Sequence, residues 1–258
     1  MDTRFAVICD LDGVLHRASR AIPGARRFVA ELQKSGRRYM FLTNSPDHSP
    51  RELRLRLKKF HLDIDESHFY TSAQAIGEFL ACHSKRPRVY MVGSPALRRE
   101  LQRRKVDLRS KHPEYVVFST GGPYGLNVIN RAVEYVQAGA HLLTATDEPA
   151  SLTEKGVHAG CGALVCPVEK ATGQRAYVIG KPNHFMIRQV EQRCGLEPSR
   201  TLIIGDSLET DIDVGLQAQM KTVLVLTGHT SRDKLRHSPY KPDYVFDSVA
   251  DIDLEKLP

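Results

Sequence analysis

Asp10 and Asp12 leave the apolar run Phe5-Ala6-Val7-Ile8-Cys9 together, in the stretch Asp10-Leu11-Asp12-Gly13-Val14-Leu15. Two carboxylates held close together repel one another unless a cation or a shared proton relieves them, so the pair points to metal-assisted chemistry. Three further groups follow apolar runs. Thr43-Asn44-Ser45 comes after Tyr39-Met40-Phe41-Leu42 and offers small hydrogen-bonding side chains suited to an anion. Gly180-Lys181-Pro182-Asn183 comes after Ala176-Tyr177-Val178-Ile179 and offers one cation. Gly205-Asp206-Ser207-Leu208-Glu209-Thr210-Asp211 comes after Thr201-Leu202-Ile203-Ile204 and adds two more acids. Alone, each fragment is weak: Asp-x-Asp ends many strands, most lysines are exposed, and an acid at position 211 also suits the start of a helix.

The elements that must position these groups are legible as short, continuous, β-prone runs, which read as strands buried on both faces. Open α/β sheets bind ligands at the carboxyl ends of their strands, where all four groups stand. Between the first two runs, Pro23-Gly24 opens a helix whose apolar positions Ala25, Phe28, Val29 and Leu32 recur at helical spacing, and Gly36 ends it. Strand, helix, strand is a parallel unit that puts Asp10 and Thr43 on one edge. The C-terminal third repeats the scheme with a strand at 202–204, a helix over about 210–218, a strand at 223–226 and a short one at 243–246. Residues 1–74 and 177–258 therefore read as one doubly wound parallel, Rossmann-like sheet. Residues 75–176 form a smaller inserted α/β domain, with strands at 88–93, 115–119 and 141–144, helices at 95–105 and 127–138, and glycine-rich turns at Gly121-Gly122 and Gly160-Cys161-Gly162.

In this order, the four segments closely resemble the motifs of the haloacid dehalogenase superfamily, specifically its phosphatases. The long interval between Asn44 and Lys181 and the Gly-Lys-Pro-Asn sequence resemble the NagD-like, 4-nitrophenylphosphatase-like branch, whose members carry a class IIA α/β cap domain there. The resemblance implies a Mg2+-dependent phosphatase that hydrolyses small phosphomonoesters, nucleotide or sugar phosphates, through an aspartyl phosphate on Asp10. It makes Asp12 the general acid and base. It assigns the phosphoryl oxygens to the Thr43 hydroxyl, the Asn44 backbone and the Lys181 ammonium. The metal falls to the Asp10 and Asp206 carboxylates and the Asp12 carbonyl, with Asp211 supporting them. In the cap, relatives carry an Asn and an acid after a strand like Leu142-Leu143-Thr144-Ala145-Thr146. Here Asp147 and Pro149 stand instead, which makes Asp147 the candidate for substrate specificity. The resemblance leaves open a homodimer through the cap. The alternatives are phosphotransfer from the same intermediate and, from a different class, a non-catalytic protein that binds phosphometabolites; the intact motif residues speak against the second.

Composition narrows the rest. The 258 residues are 41% hydrophobic, ordinary for a packed globular protein. The net charge of +7 suits phosphate anions as well as nucleic acid. Its basic clusters favour the first: Arg51, Arg54 and Lys58 line one face of an amphipathic helix, and Arg98 to Lys105 includes Glu100 and no interleaved aromatics for base stacking. No nucleic-acid partner is expected. Five scattered cysteines without a Cys-x-x-Cys pair argue against a disulfide framework or a zinc site. No glycine loop matches a nucleotide fingerprint. His158 and His184 are single histidines of the kind that is usually structural. No apolar stretch is long enough to cross a membrane and the start shows no signal-peptide pattern, so the expected location is cytoplasmic, away from membranes.

Overall fold

Every residue of the strand Ala6–Asp10 is buried, because parallel strands pair with it on both edges. The computed structural model describes residues 4–153 and 156–258. These divide into two compact units: the described chain up to Thr43 with Pro50–Tyr70 and Lys181–Pro258, and Asn44–Ser49 with Thr71–Gly180.

The first unit is built on a six-stranded sheet in the order Tyr244–Phe246, Lys221–Val225, Thr201–Gly205, Ala6–Asp10, Tyr39–Thr43, Phe69–Thr71. Cys9 lies beside Phe41 on one edge and Ile204 on the other, and Asp10 beside Leu42. The carboxyl ends of these three strands therefore finish level. The helix Ala25–Lys34 buries Ala25, Phe28, Val29 and Leu32, the stripe expected from its spacing. The helix Pro50–Lys58 buries Leu53 and Leu57, and Arg54 pairs with Asp65 at 3.2 Å on its other face. The core fills with Val7, Cys9, Phe28, Phe41, Leu202, Ile204 and Val223.

The second unit carries its own parallel sheet of four strands, in the order Tyr177–Val178, His141–Thr144, Tyr115–Phe118, Val89–Val92. Among the described residues, four helices accompany it: Ser72–His83, Pro95–Arg103, Leu126–Gln137 and Cys161–Thr172. Arg104 bridges Glu78 at 2.9 Å and Glu100 at 2.6 Å, so part of the basic cluster is neutralised within the unit.

Three expectations are corrected. The run 176–179 yields only Tyr177–Val178, and this strand joins the second sheet, because Ile179 and Gly180 continue its ladder onto the Thr144 and Ala145 carbonyls. Gly160-Cys161-Gly162 is no turn: Gly160 is the N-cap of the helix Cys161–Thr172. The stretch 210–218 is a wide π-helical turn, Leu208–Ile212, followed by the short helix Asp213–Gln217. Among the described residues, no helix is long and apolar enough to cross a membrane.

Candidate active site

The polar cluster of the first unit forms where three strands end level. Asp10 is the last residue of its strand and 8% exposed. Lys181, though distant in sequence, donates from Nζ to Asp10 Oδ1 and to Asp211 Oδ1, both at 2.6 Å, and its head is buried. The other oxygen of Asp211 accepts the backbone N–H groups of Asp206 and Ser207, each at 3.2 Å. Asp206 is buried in turn, and its Oδ2 accepts the His229 N–H at 2.6 Å. One ammonium and a few main-chain N–H groups thus fix three carboxylates at the mouth of the sheet.

Two glycines make room for these acids. Gly13 has φ +80, and a Cβ there would fall 2.3 Å from Asp206 Oδ2. At Gly205 a Cβ would meet Asp211 Cγ at 2.1 Å, so glycine ends this strand because the carboxylate lies against its backbone.

Thr43 is buried at the end of the neighbouring strand, one residue beyond the partner of Asp10. Asp12 lies in the turn that follows Asp10, and its side chain is 56% exposed. Asn44 belongs to the second unit, where its carbonyl accepts the Ser72 hydroxyl at 2.6 Å. Asp147 also belongs to the second unit, exposed in the turn after His141–Thr144. The structure therefore brings Asp10, Lys181, Asp206 and Asp211 together, with Asp12 in the turn after Asp10 and Thr43 at the end of the adjoining strand. Sequence reasoning passed over His229, which holds Asp206, and Thr227, whose hydroxyl donates to the Gly13 carbonyl. The signal was available, since Thr227-Gly228-His229 is another polar loop beyond the carboxyl end of a strand.

The family model for haloacid dehalogenase-like hydrolases matches residues 7–107, and a second, HAD-hydrolase-like, matches residues 178–252. The ribonucleotide monophosphatase NagD of Escherichia coli is 33% identical over 248 residues, covering 96% of this chain and 98% of that protein. The chain belongs to the haloacid dehalogenase-like hydrolases. Within that family it lies in the NagD-like branch: the solved structure of the Escherichia coli protein superposes with a TM-score of 0.91, covering 97% of this chain and 99% of that one. The dihydroxyacetone phosphatase of Corynebacterium glutamicum is 33% identical over 252 residues, covering 98% and 92% of the two chains. A glycerol phosphate phosphatase of Mycobacterium tuberculosis, solved in complex with magnesium, is 27% identical with a TM-score of 0.87, over 96% of this chain and 75% of that one. This chain is accordingly a phosphoric monoester hydrolase of the family.

The charge balance of the cluster bears on what it can hold. Burial raises the Asp10 carboxyl well above the usual range; Lys181 works against this, while Asp211 and Asp206 add to it. Burial, and then the charge of Asp211, push Asp206 up to about 7. Burial opposes the Lys181 charge, but Asp10 and Asp211 outweigh it and raise the ammonium above its ordinary value. Three acids facing one buried cation leave a surplus of negative charge. Asp10, Asp206 and Asp211 present carboxylate oxygens all within 4.8 Å of one another, and such hard donors fit a divalent cation.

Proposed function

We propose that the chain is a Mg2+-dependent phosphatase that hydrolyses small phosphomonoesters, nucleotide or sugar phosphates, through an aspartyl phosphate on Asp10. The observation that carries this reading is the buried Asp10–Lys181–Asp211 bridge with Asp206 beside it. The names of the relatives support the same substrate class, since they act on ribonucleotide monophosphates, dihydroxyacetone phosphate and glycerol phosphate.

The Asp10 carboxylate, whose Oδ1 accepts Lys181 Nζ, attacks phosphorus. Its bond to phosphorus forms as the bond to the leaving oxygen breaks, and Asp12 protonates that oxygen. Water then attacks the aspartyl phosphate, Asp12 takes its proton, and inorganic phosphate leaves with Asp10 restored. Asp12 stands two residues from Asp10 in a more exposed setting, and two carboxylates in different environments can take different roles. The Thr43 hydroxyl and the Lys181 ammonium hold the phosphoryl oxygens. The Asp10 and Asp206 carboxylates and the Asp12 carbonyl would hold Mg2+, which would supply the positive charge that a loose phosphoryl-transfer transition state needs. Asp211 has both oxygens engaged by Lys181 and the backbone, which suits a supporting role.

A phosphate-release screen over 5′-nucleotides, sugar phosphates, dihydroxyacetone phosphate, glycerol phosphate and 4-nitrophenyl phosphate, with and without Mg2+, tests the reading. Turnover should require Mg2+, and Asp10→Asn should lower it more than about 10³-fold while leaving the fold intact. A fully active Asp10→Asn would remove the nucleophile and the intermediate with it.

A further inference from the structure

Asp12 sits in solvent, yet a general acid must present one oxygen to the leaving group in a narrow range of directions. The side chain that faces Asp12 stands four residues along. His16 begins the two-residue strand His16–Arg17, which pairs antiparallel with Arg20–Ala21. Its side chain is 2% exposed, and Nδ1 lies 3.5 Å from Asp12 Oδ1. The backbone closes the same loop: Gly13 N–H donates to the His16 carbonyl at 2.8 Å, and His16 N–H donates to Leu11 at 3.3 Å. The ring packs 6.1 Å from Phe60. A buried aromatic ring held by a hairpin is a rigid support for the exposed aspartate it faces.

We infer that His16 is a positioning residue for the general acid: its Nδ1 side fixes the Asp12 carboxyl for proton transfer to the leaving oxygen. This rests on the phosphatase reading above. A histidine serving only to pack the hairpin would affect all substrates alike. One acting through Asp12 affects substrates according to how much their leaving group needs a proton. An alkoxide needs it, whereas 4-nitrophenolate is stable enough to depart without it.

The experiment compares kcat/KM for 4-nitrophenyl phosphate with that for the best alkyl phosphate from the screen, in the unsubstituted protein and in His16→Phe, His16→Gln and His16→Asn. Asparagine puts an amide near the Nδ1 position; glutamine puts it near Nε2; phenylalanine keeps the bulk alone. His16→Phe and His16→Gln should lose about 10- to 100-fold on the alkyl phosphate, a part of what a whole acid-base group contributes, and less than about 3-fold on 4-nitrophenyl phosphate. His16→Asn should recover most of the alkyl-phosphate activity. Should His16→Phe fail to fold, the glutamine and asparagine pair carries the comparison. An equal loss on both substrates, or equal behaviour of the glutamine and asparagine variants, overturns the inference while leaving the phosphatase reading in place. An unsubstituted protein that releases phosphate from neither substrate overturns both.

Discussion

At the residue scale, Lys181 carries the most consequence, since it neutralises Asp10 and Asp211 at once inside the protein. Removing one partner of a buried ion pair leaves uncompensated charge, which costs about 3 to 5 kcal/mol. Lys181→Met should lower stability by that order in the absence of metal. Mg2+ should restore part of it, because a divalent cation replaces the missing charge; denaturant titration with and without Mg2+ is the check. A variant as stable as the parent, and indifferent to Mg2+, would show that the acids are not held charged. The acids, hydroxyl and lysine of this site were legible in the sequence because each follows an apolar run in a fixed chemical context. His16 was not, and His229 showed only as part of a polar loop after a strand. The first faces Asp12 with its ring and the second meets Asp206 with its backbone N–H, so the type of neither residue announces its contact along the chain.

At the element scale, the strands and amphipathic helices of both sheets were legible from period and length, whereas the assignment of an edge strand was not. Tyr177–Val178 has the composition of a strand in either sheet, and only the ladder with Leu143 and Thr144 decides which. The helix Cys161–Thr172 was hidden by glycines at 160 and 162 and by Pro167 inside it, all of which read locally as turn. The outer edge of the first sheet depends on one acid. Asp243 accepts Lys221 Nζ at 2.6 Å, Thr222 N–H at 2.9 Å and the Thr222 hydroxyl at 3.0 Å, tying Tyr244–Phe246 to Lys221–Val225. Burial disfavours its charge, but Lys221 and Thr222 outweigh this and hold the carboxyl below the usual range. A lowered folded pKa means stability that is present above the unfolded pKa, near 4, and lost as pH falls through the folded value. Asp243→Ala should cost about 1 to 2 kcal/mol at pH 7, with part of the parent's loss of stability below about pH 4 removed. Thermal melts of both proteins across that range would show it, and parallel pH profiles would exclude the role.

At the scale of the whole molecule, two units with separate cores divide the proposed labour. Asp10, Asp12, Thr43, Lys181, Asp206 and Asp211 all belong to the unit with the six-stranded sheet, so the phosphoryl-transfer chemistry is encoded there. Asp147 and Pro149, where the resemblance implies other residue types, belong to the other unit. Changes in the second unit should therefore alter which phosphomonoester is favoured and leave the attack of Asp10 intact. Asp147 is the sharpest probe because it is exposed, so its replacement disturbs no core, and because an Asn there restores the residue type expected of the branch. Exchanging a charged acceptor for an amide that also donates changes the preference for neutral, hydroxyl-rich and anionic leaving groups. Asp147→Asn should shift the ratio of kcat/KM between a nucleotide and a small sugar phosphate by about tenfold, about 1.4 kcal/mol, with Mg2+ dependence unchanged. Steady-state kinetics over the same substrate panel decides the matter. An unaltered profile would make Asp147 an ordinary acid in the turn before Pro149 and move the specificity determinant elsewhere in the chain.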